Sequence, residues 1–250
     1  MRTVLAVTGT RREASVLRGL GVEAIAIGGS EAALDGALVE LGASLAAIVS
    51  FGMGGALDPD LRLGHWVIGT RVLTSPSPSG EGLGWGLSGS GDDALNRQTP
   101  PPTPPQKGRG FPFVCDQTLT ACLMRRIPTA RSGPIYADGR LIGESLEKQS
   151  LFRQNGALVA DMESHLVAMA AARIGIPFAV LRCISDESGA DLPKAIAVAM
   201  RPDGGLALGA ILKSIARNPA QVPELLHSTV RFGRAFKFLE AGAKLAFSQR

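Results

Sequence analysis

The stretch "VADMESHLVAMAAARIGIPFAVLRCISDESGAD", residues 159–191, decides how the chain is read. An apolar run ends at Asp161, a helical run opens soon after and stops at Gly175, and a longer apolar run ends at Asp186. Acids therefore stand where one strand leaves the interior (Asp161, Glu163) and where the next one does (Asp186). In open α/β sheets, ligands gather at the carboxyl ends of strands. Asp161 serves equally well as the N-cap of the helix, which leaves Glu163 with less of a structural task. Asp186 taken alone is a turn aspartate; taken with Glu163 it faces the same pocket.

The chemistry of the two acids differs. A carboxylate at Glu163 only accepts hydrogen bonds, which suits two adjacent sugar hydroxyls. A poorly solvated carboxyl at Asp186 keeps its proton and acts as general acid toward a ring nitrogen.

Outward from this stretch, strands and helices alternate. "TVLAV" (3–7) and "VEAIAI" (22–27) read as strands, separated by a polar turn, "TGTRRE" (8–13). "SEAALDGALVELGA" (30–43) reads as a helix with Ser30 as N-cap and Gly42 as stop. "SLAAIVSF" (44–51) is a third strand, ending in a glycine-rich loop, "GMGGALDPDLRLG" (52–64), and "HWVIGTRVL" (65–73) is a fourth. "CDQTLTACLMRR" (115–126) and "GESLEKQSLFRQNG" (143–156) read as helices flanking a strand, "TARSGPIYA" (129–137). Two helices divided near Pro219 and Pro223 close the chain. The pattern predicts an α/β protein: one three-layer domain over residues 1–250, with a mixed, partly parallel central sheet flanked by helices. Residues 75–109, rich in Gly and Pro and without periodicity, read as a flexible insertion.

Composition excludes several classes. With 45% hydrophobic and 19% charged residues the chain can bury a core. Three cysteines (Cys115, Cys122, Cys183) without a C-x-x-C, and three scattered histidines, give no zinc pattern and point to a reducing cytoplasm. His65 and His165 are read as structural hydrogen-bonding residues. No run of about 18 apolar residues predicts a membrane span, and the opening apolar run is too short for a signal peptide. A net charge of +4 without basic–aromatic clusters does not indicate nucleic acid. No metal or cofactor is expected.

A third candidate cluster lies in "TGTRREA" (8–14) and "FGMGGAL" (51–57). Gly52, Gly54 and Gly55 let the backbone approach a ligand and offer N–H groups to an anion. Thr8, Thr10, Arg11 and Arg12 add donors, and Glu13 adds a carboxylate able to activate a water. This is neither G-x-G-x-x-G nor a P-loop, which counts against a dinucleotide-binding dehydrogenase.

Together, residues 159–191, "SFGMGGALDPDLRLGHWVIGT" (50–70) and "SGPIYADG" (132–139) resemble the nucleoside phosphorylase and nucleosidase superfamily, in particular the methylthioadenosine/S-adenosylhomocysteine nucleosidases. The resemblance runs from Thr3 to Leu192 outside the proline-rich segment. It implies that Asp186, next to Ser185, protonates N7 of adenine, that Glu163 holds the ribose hydroxyls with Met162 packed on the sugar, and that Tyr136 contacts the purine. It further implies that Gly54 and Gly55 line the sugar side and that Glu13 orients an attacking water. Where bacterial purine nucleoside phosphorylases carry a phosphate-binding Arg and Ser, this chain reads Val49 and Gly52, so phosphate as co-substrate falls to Thr8, Thr10, Arg11 or Arg12. Residues 191–240 are similar to the tail of the hopanoid-associated phosphorylases, which implies phosphorolysis of adenosylhopane. The alternatives are a hydrolytic nucleosidase and a non-catalytic purine-nucleoside-binding protein. The superfamily resemblance also implies a homodimer. Residues 221–250 read as a basic amphipathic helix, either docked on the core or lying on an anionic membrane that presents the lipid-linked substrate.

Overall fold

The computed structural model describes residues 3–75, 112–193 and 222–248, the last segment by backbone alone up to residue 228. The elements are β1 (Thr3–Thr8), α1 (Arg11–Ser15), β2 (Glu23–Ala26), α2 (Glu31–Leu41), β3 (Leu45–Ala56), β4 (Trp66–Leu73), β5 (Phe113–Val114), α3 (Gln117–Arg126), β6 (Arg131–Ala137), α4 (Ser145–Asn155), β7 (Val159–Asp161), α5 (Ser164–Ile174), β8 (Phe178–Asp186) and α6 (Val222–Phe247). This is an α/β fold with a mixed sheet and, among the described residues, six helices. The expected insertion lies almost wholly outside the described residues, as does the first of the two expected tail helices.

β3 organises the sheet. Along one edge it runs parallel to β8 from Ile48 to Gly55. Along the other it runs parallel to β1 as far as Ser50, and then Gly55 and Ala56 pair antiparallel with Ala160 and Val159 of β7. β7 continues parallel to β6, β6 parallel to β4, and β4 returns antiparallel to β8. The pairings β3–β7–β6–β4–β8 thus close a ring, while β1 and β2 extend the sheet beyond β3.

Two expectations are corrected here. The glycine-rich "loop" Gly52–Ala56 is the second half of β3, hydrogen-bonded on both edges. Glycine is required because neighbours press on this backbone: a Cβ on Gly54 would stand 2.5 Å from Val159 Cγ1. The polar turn "TGTRRE" is instead the start of α1. Thr10 and Glu13 close a reciprocal capping box, with Thr10 N–H donating to Glu13 Oε2 (2.8 Å) and Glu13 N–H to Thr10 Oγ1 (3.2 Å).

The sheet has helices on both faces. α2 and α5 supply Leu34, Leu38, Val167 and Ala171 to one core, with Leu5, Ile48 and Val180 from the strands. On the other face α3 and α6 supply Leu123, Leu239, Ala243 and Ala246 against Phe51, Trp66 and Leu181. The side chains of α6 that are described settle its docking. Ala235, Leu239, Gly242, Ala243 and Ala246 form a buried stripe at helical spacing, and a Cβ on Gly242 would collide with the Trp66 ring. The Arg12 guanidinium sits 3.9 Å above the Phe236 ring, which ties α6 to α1. No described helix is long and apolar enough to cross a membrane.

Candidate active site

Three acids meet the glycine-bearing end of β3, and each occupies the space of a missing side chain. A Cβ on Gly9 would stand 2.6 Å from Glu163 Oε1, one on Gly52 2.7 Å from Glu13 Oε1, and one on Gly55 3.0 Å from Asp186 Oδ2. Residues separated by up to 173 positions are thereby seated on two backbone segments, the end of β1 and the end of β3.

Glu13 is held on all sides. Oε2 accepts from Thr10 N–H and Thr10 Oγ1 (2.9 Å), and Oε1 accepts from Met53 N–H (2.8 Å). Glu163 stands at the entry of α5 and is half-buried. Burial pushes its carboxyl up to about 8; Asp161 and Glu13 add to the rise, while Arg182 and the Met162 backbone oppose it. At neutral pH the protonated form of Glu163 is therefore favoured.

Arg182 lies beneath both. It comes from the middle of β8, opposite Gly52, and is fully buried. Nε donates to Asp161 Oδ2 (2.9 Å), and Nη2 donates to Ser50 Oγ (2.6 Å) and Ser164 Oγ (3.0 Å). Nη1 lies 3.3 Å from where a Gly52 Cβ would be, beside Glu13. Burial opposes the charge on Asp161, yet Arg182 and the donors of Ser164 prevail and hold its carboxyl below the usual range. Asp161 also accepts the N–H groups of Glu163 (2.9 Å) and Ser164 (2.7 Å), so it caps α5 and anchors Arg182 together.

Asp186 occupies the other side of β3. Its Oδ2 accepts from Lys148 Nζ at 2.6 Å. Ser185 Oγ lies 2.7 Å from Oδ1 and 3.2 Å from the Gly54 carbonyl, with one proton to give to either. Lys148, on α4, is completely buried and also donates to the carbonyls of Glu187 (3.2 Å) and Ala190 (2.8 Å).

Other expected residues are placed as follows. Met162, half-buried, precedes Glu163 at the start of α5. Tyr136 is buried with Leu57, Ile142 and Ala160, and its hydroxyl bonds Ser75 (2.7 Å) and Asp138 (2.8 Å). Thr8 Oγ1 is directed at its neighbouring backbone, the carbonyls of Thr10 and Ile25 (both 3.0 Å), and Thr10 Oγ1 at Glu13. Arg11 is exposed and lines a surface groove with Arg18 and Glu23. His65 Nδ1 accepts from Arg62 N–H (3.1 Å), as a structural histidine should, whereas the buried His165 Nδ1 has no partner. Burial pushes the Cys115 and Cys183 thiols up to about 12, so neither is a nucleophile. Among the described residues no cluster of His, Cys, Asp or Glu is placed to hold a metal.

Sequence reasoning missed Arg182 and Lys148. Arg182 had a signal, a lone charge inside the apolar strand "FAVLRCISD". Lys148 had a fainter one: it precedes Leu151 and Phe152 by three and four residues, so it shares their inward face of α4.

The fold is a mixed α/β sheet with three acids gathered where β1 and β3 end, and the sequence carries no dinucleotide fingerprint. The chain belongs to the phosphorylase superfamily, whose family model matches residues 2–217; its members are N-glycosyl-cleaving nucleoside phosphorylases and nucleosidases. Among solved structures it is similar to the 5′-methylthioadenosine/S-adenosylhomocysteine nucleosidase of Neisseria meningitidis in complex with methylthio-immucillin-A, at 15% identity and a TM-score of 0.63, over 98% of this chain and 96% of that one. It is also similar to the futalosine hydrolase of Helicobacter pylori strain 26695, at 15% identity and a TM-score of 0.59, over 86% of this chain and 97% of that one. At these identities the likeness is one of fold. No curated protein matches the chain.

Proposed function

We propose that the protein cleaves the N-glycosidic bond of an adenosine derivative, releasing adenine, and that the derivative is adenosylhopane. The observation that carries the reading is the seating of Glu13, Glu163 and Asp186 against Gly52, Gly9 and Gly55, where β1 and β3 end. As the C1′–N9 bond breaks, electrons pass to the base and positive charge grows on the ribose. Asp186 delivers a proton to N7. The ribose hydroxyls donate hydrogen bonds to Glu163 in its ionised form, its proton passing to solvent as the substrate binds, which sets a negative charge beside the cationic sugar.

Water is the nucleophile that the geometry supports best. The Glu13 carboxylate, with Arg182 Nη1 beside it, is suited to orient a water, and the hydroxyls of Thr8 and Thr10 are already committed. Phosphorolysis is the second reading. It is supported by the Arg182 guanidinium and by the likeness of residues 191–240 to hopanoid-associated phosphorylases. The lipid substituent of such a substrate calls for contact with a membrane surface, where Phe238 and Leu245 stand exposed beside Lys237 and Lys244. A homodimer accompanies the superfamily reading, and size-exclusion chromatography tests it.

The deciding experiment incubates the protein with adenosylhopane and with methylthioadenosine, with and without phosphate, and identifies both products. Adenine and a free ribosyl product from adenosylhopane in both buffers is the expected result. Strict dependence on phosphate, with a ribose-1-phosphate type product, selects the second reading. Adenine from methylthioadenosine alone removes the hopanoid, and adenine from neither overturns the proposal.

A further inference from the structure

We propose that Lys148 supplies the proton that Asp186 passes to the departing base, which makes it a positioning residue with a chemical task. The inference rests on the reading of Asp186 as the acid. Oδ2 of that carboxylate already accepts from Lys148 at 2.6 Å, and the Ser185 hydroxyl lies 2.7 Å from Oδ1. A carboxylate so held must first receive the proton it is to donate. Lys148 Nζ is the acidic neighbour in contact with it, and a lysine, unlike an arginine, can give up a proton.

The competing role for Lys148 is to clamp the loop after β8 through the carbonyls of Glu187 and Ala190. That loop is anchored independently. Asp191 Oδ1 accepts from Ser145 N–H (2.7 Å), and Leu192 N–H donates to the Gly143 carbonyl (2.9 Å). The loop is therefore held without Lys148, whose shortest contact is the one to Asp186.

The step balances as follows. The C1′–N9 bond breaks and its electron pair moves into the base. N7 takes a proton from Asp186, and Asp186 takes one from Lys148, which ends as a neutral amine beside a carboxylate and neutral adenine. The water oxygen bonds C1′ and loses its proton to Glu13. After adenine leaves, a proton from solvent returns to Lys148 through Asp186, and solvent accepts the one on Glu13.

The test compares wild type, Lys148→Met and Lys148→Arg on two substrates. One is the adenosine derivative that the wild type cleaves. The other carries a leaving group that needs no proton, an N7-methylated counterpart or a nitrophenyl riboside, whichever the wild type turns over. Both variants should lose about 100-fold or more in kcat on the first substrate and less than about threefold on the second, with KM little changed. Equal loss on both substrates, full activity on the first, or recovery by Lys148→Arg overturns the proposal, because a clamp needs only the charge. Failure of both variants to fold overturns it too, since Lys148 is then scaffold. A wild type that cleaves no adenosine derivative instead sinks the functional reading beneath it.

Discussion

On one side of the β3 end stands the pair Asp161–Arg182, each side chain 1% exposed; on the other stands Asp186–Lys148, at 9% and 0%. Both are buried ion pairs, yet they are completed differently. Asp161 accepts from two backbone N–H groups, a serine hydroxyl and the guanidinium, so its capacity is filled from within. Asp186 has a lysine and a serine whose one proton is shared with the Gly54 carbonyl, so its oxygens can accept more, and its carboxylate fills the space that Gly55 leaves by lacking a side chain. A buried pair with every lone pair matched is frame. A buried pair with capacity left over is positioned for a ligand.

Three substitutions test that contrast. Asp186→Asn removes the acid and should lower kcat by about 10²–10⁴-fold with adenine release as the assay; undiminished turnover would place the chemistry elsewhere. Asp161→Asn should act first on stability. It leaves Arg182 buried without its counter-charge, and urea unfolding should show a loss of about 3–5 kcal/mol. A loss confined to activity would mean that the two pairs do not differ in kind. Gly55→Ala pushes a methyl to 3.0 Å from Asp186 Oδ2, which must then shift by a few tenths of an ångström. About a tenfold drop in kcat with a nearly unchanged melting temperature is expected, as small misplacements cost catalysis more than folding.

The smallest effect concerns pH. Folded Glu163 holds its proton up to about 8, far above an unfolded glutamate. Its stabilising contribution is therefore complete below the ordinary carboxylate range and declines as pH climbs toward 8, where the buried group must ionise. Glu163→Gln, neutral at all pH, should flatten that decline and melt at least about 2 °C above wild type at pH 9. Parallel melting curves across pH 5–9 would show that Glu163 is already ionised when folded.

Much of the frame was readable in the chain. Ser30 and Gly42 bound α2, Gly156 and Gly175 end α4 and α5, and the strands leading to Asp161 and Asp186 stand where their apolar runs ended. Local signals sufficed because caps and stops act over three or four residues. The Thr10–Glu13 capping box was also written in the sequence but was read as a turn, because a five-residue helix has too few residues to show a period. Gly52–Ala56 was read as a loop because glycine weakens strand propensity; burial between β7 and β8 overrode that propensity.

By itself the sequence determined which residues carry charge, where strands and helices begin and end, and that acids follow two buried strands. Only the tertiary structure decided which charges face each other. The pairing of β3 with β1, β7 and β8 brings Glu13, Glu163 and Arg182 together, and the packing of α4 beneath the β8 loop delivers Lys148 to Asp186. Side-chain partnership at a separation of 38 or 132 residues depends on strand register and helix docking, and neither is encoded in any short window.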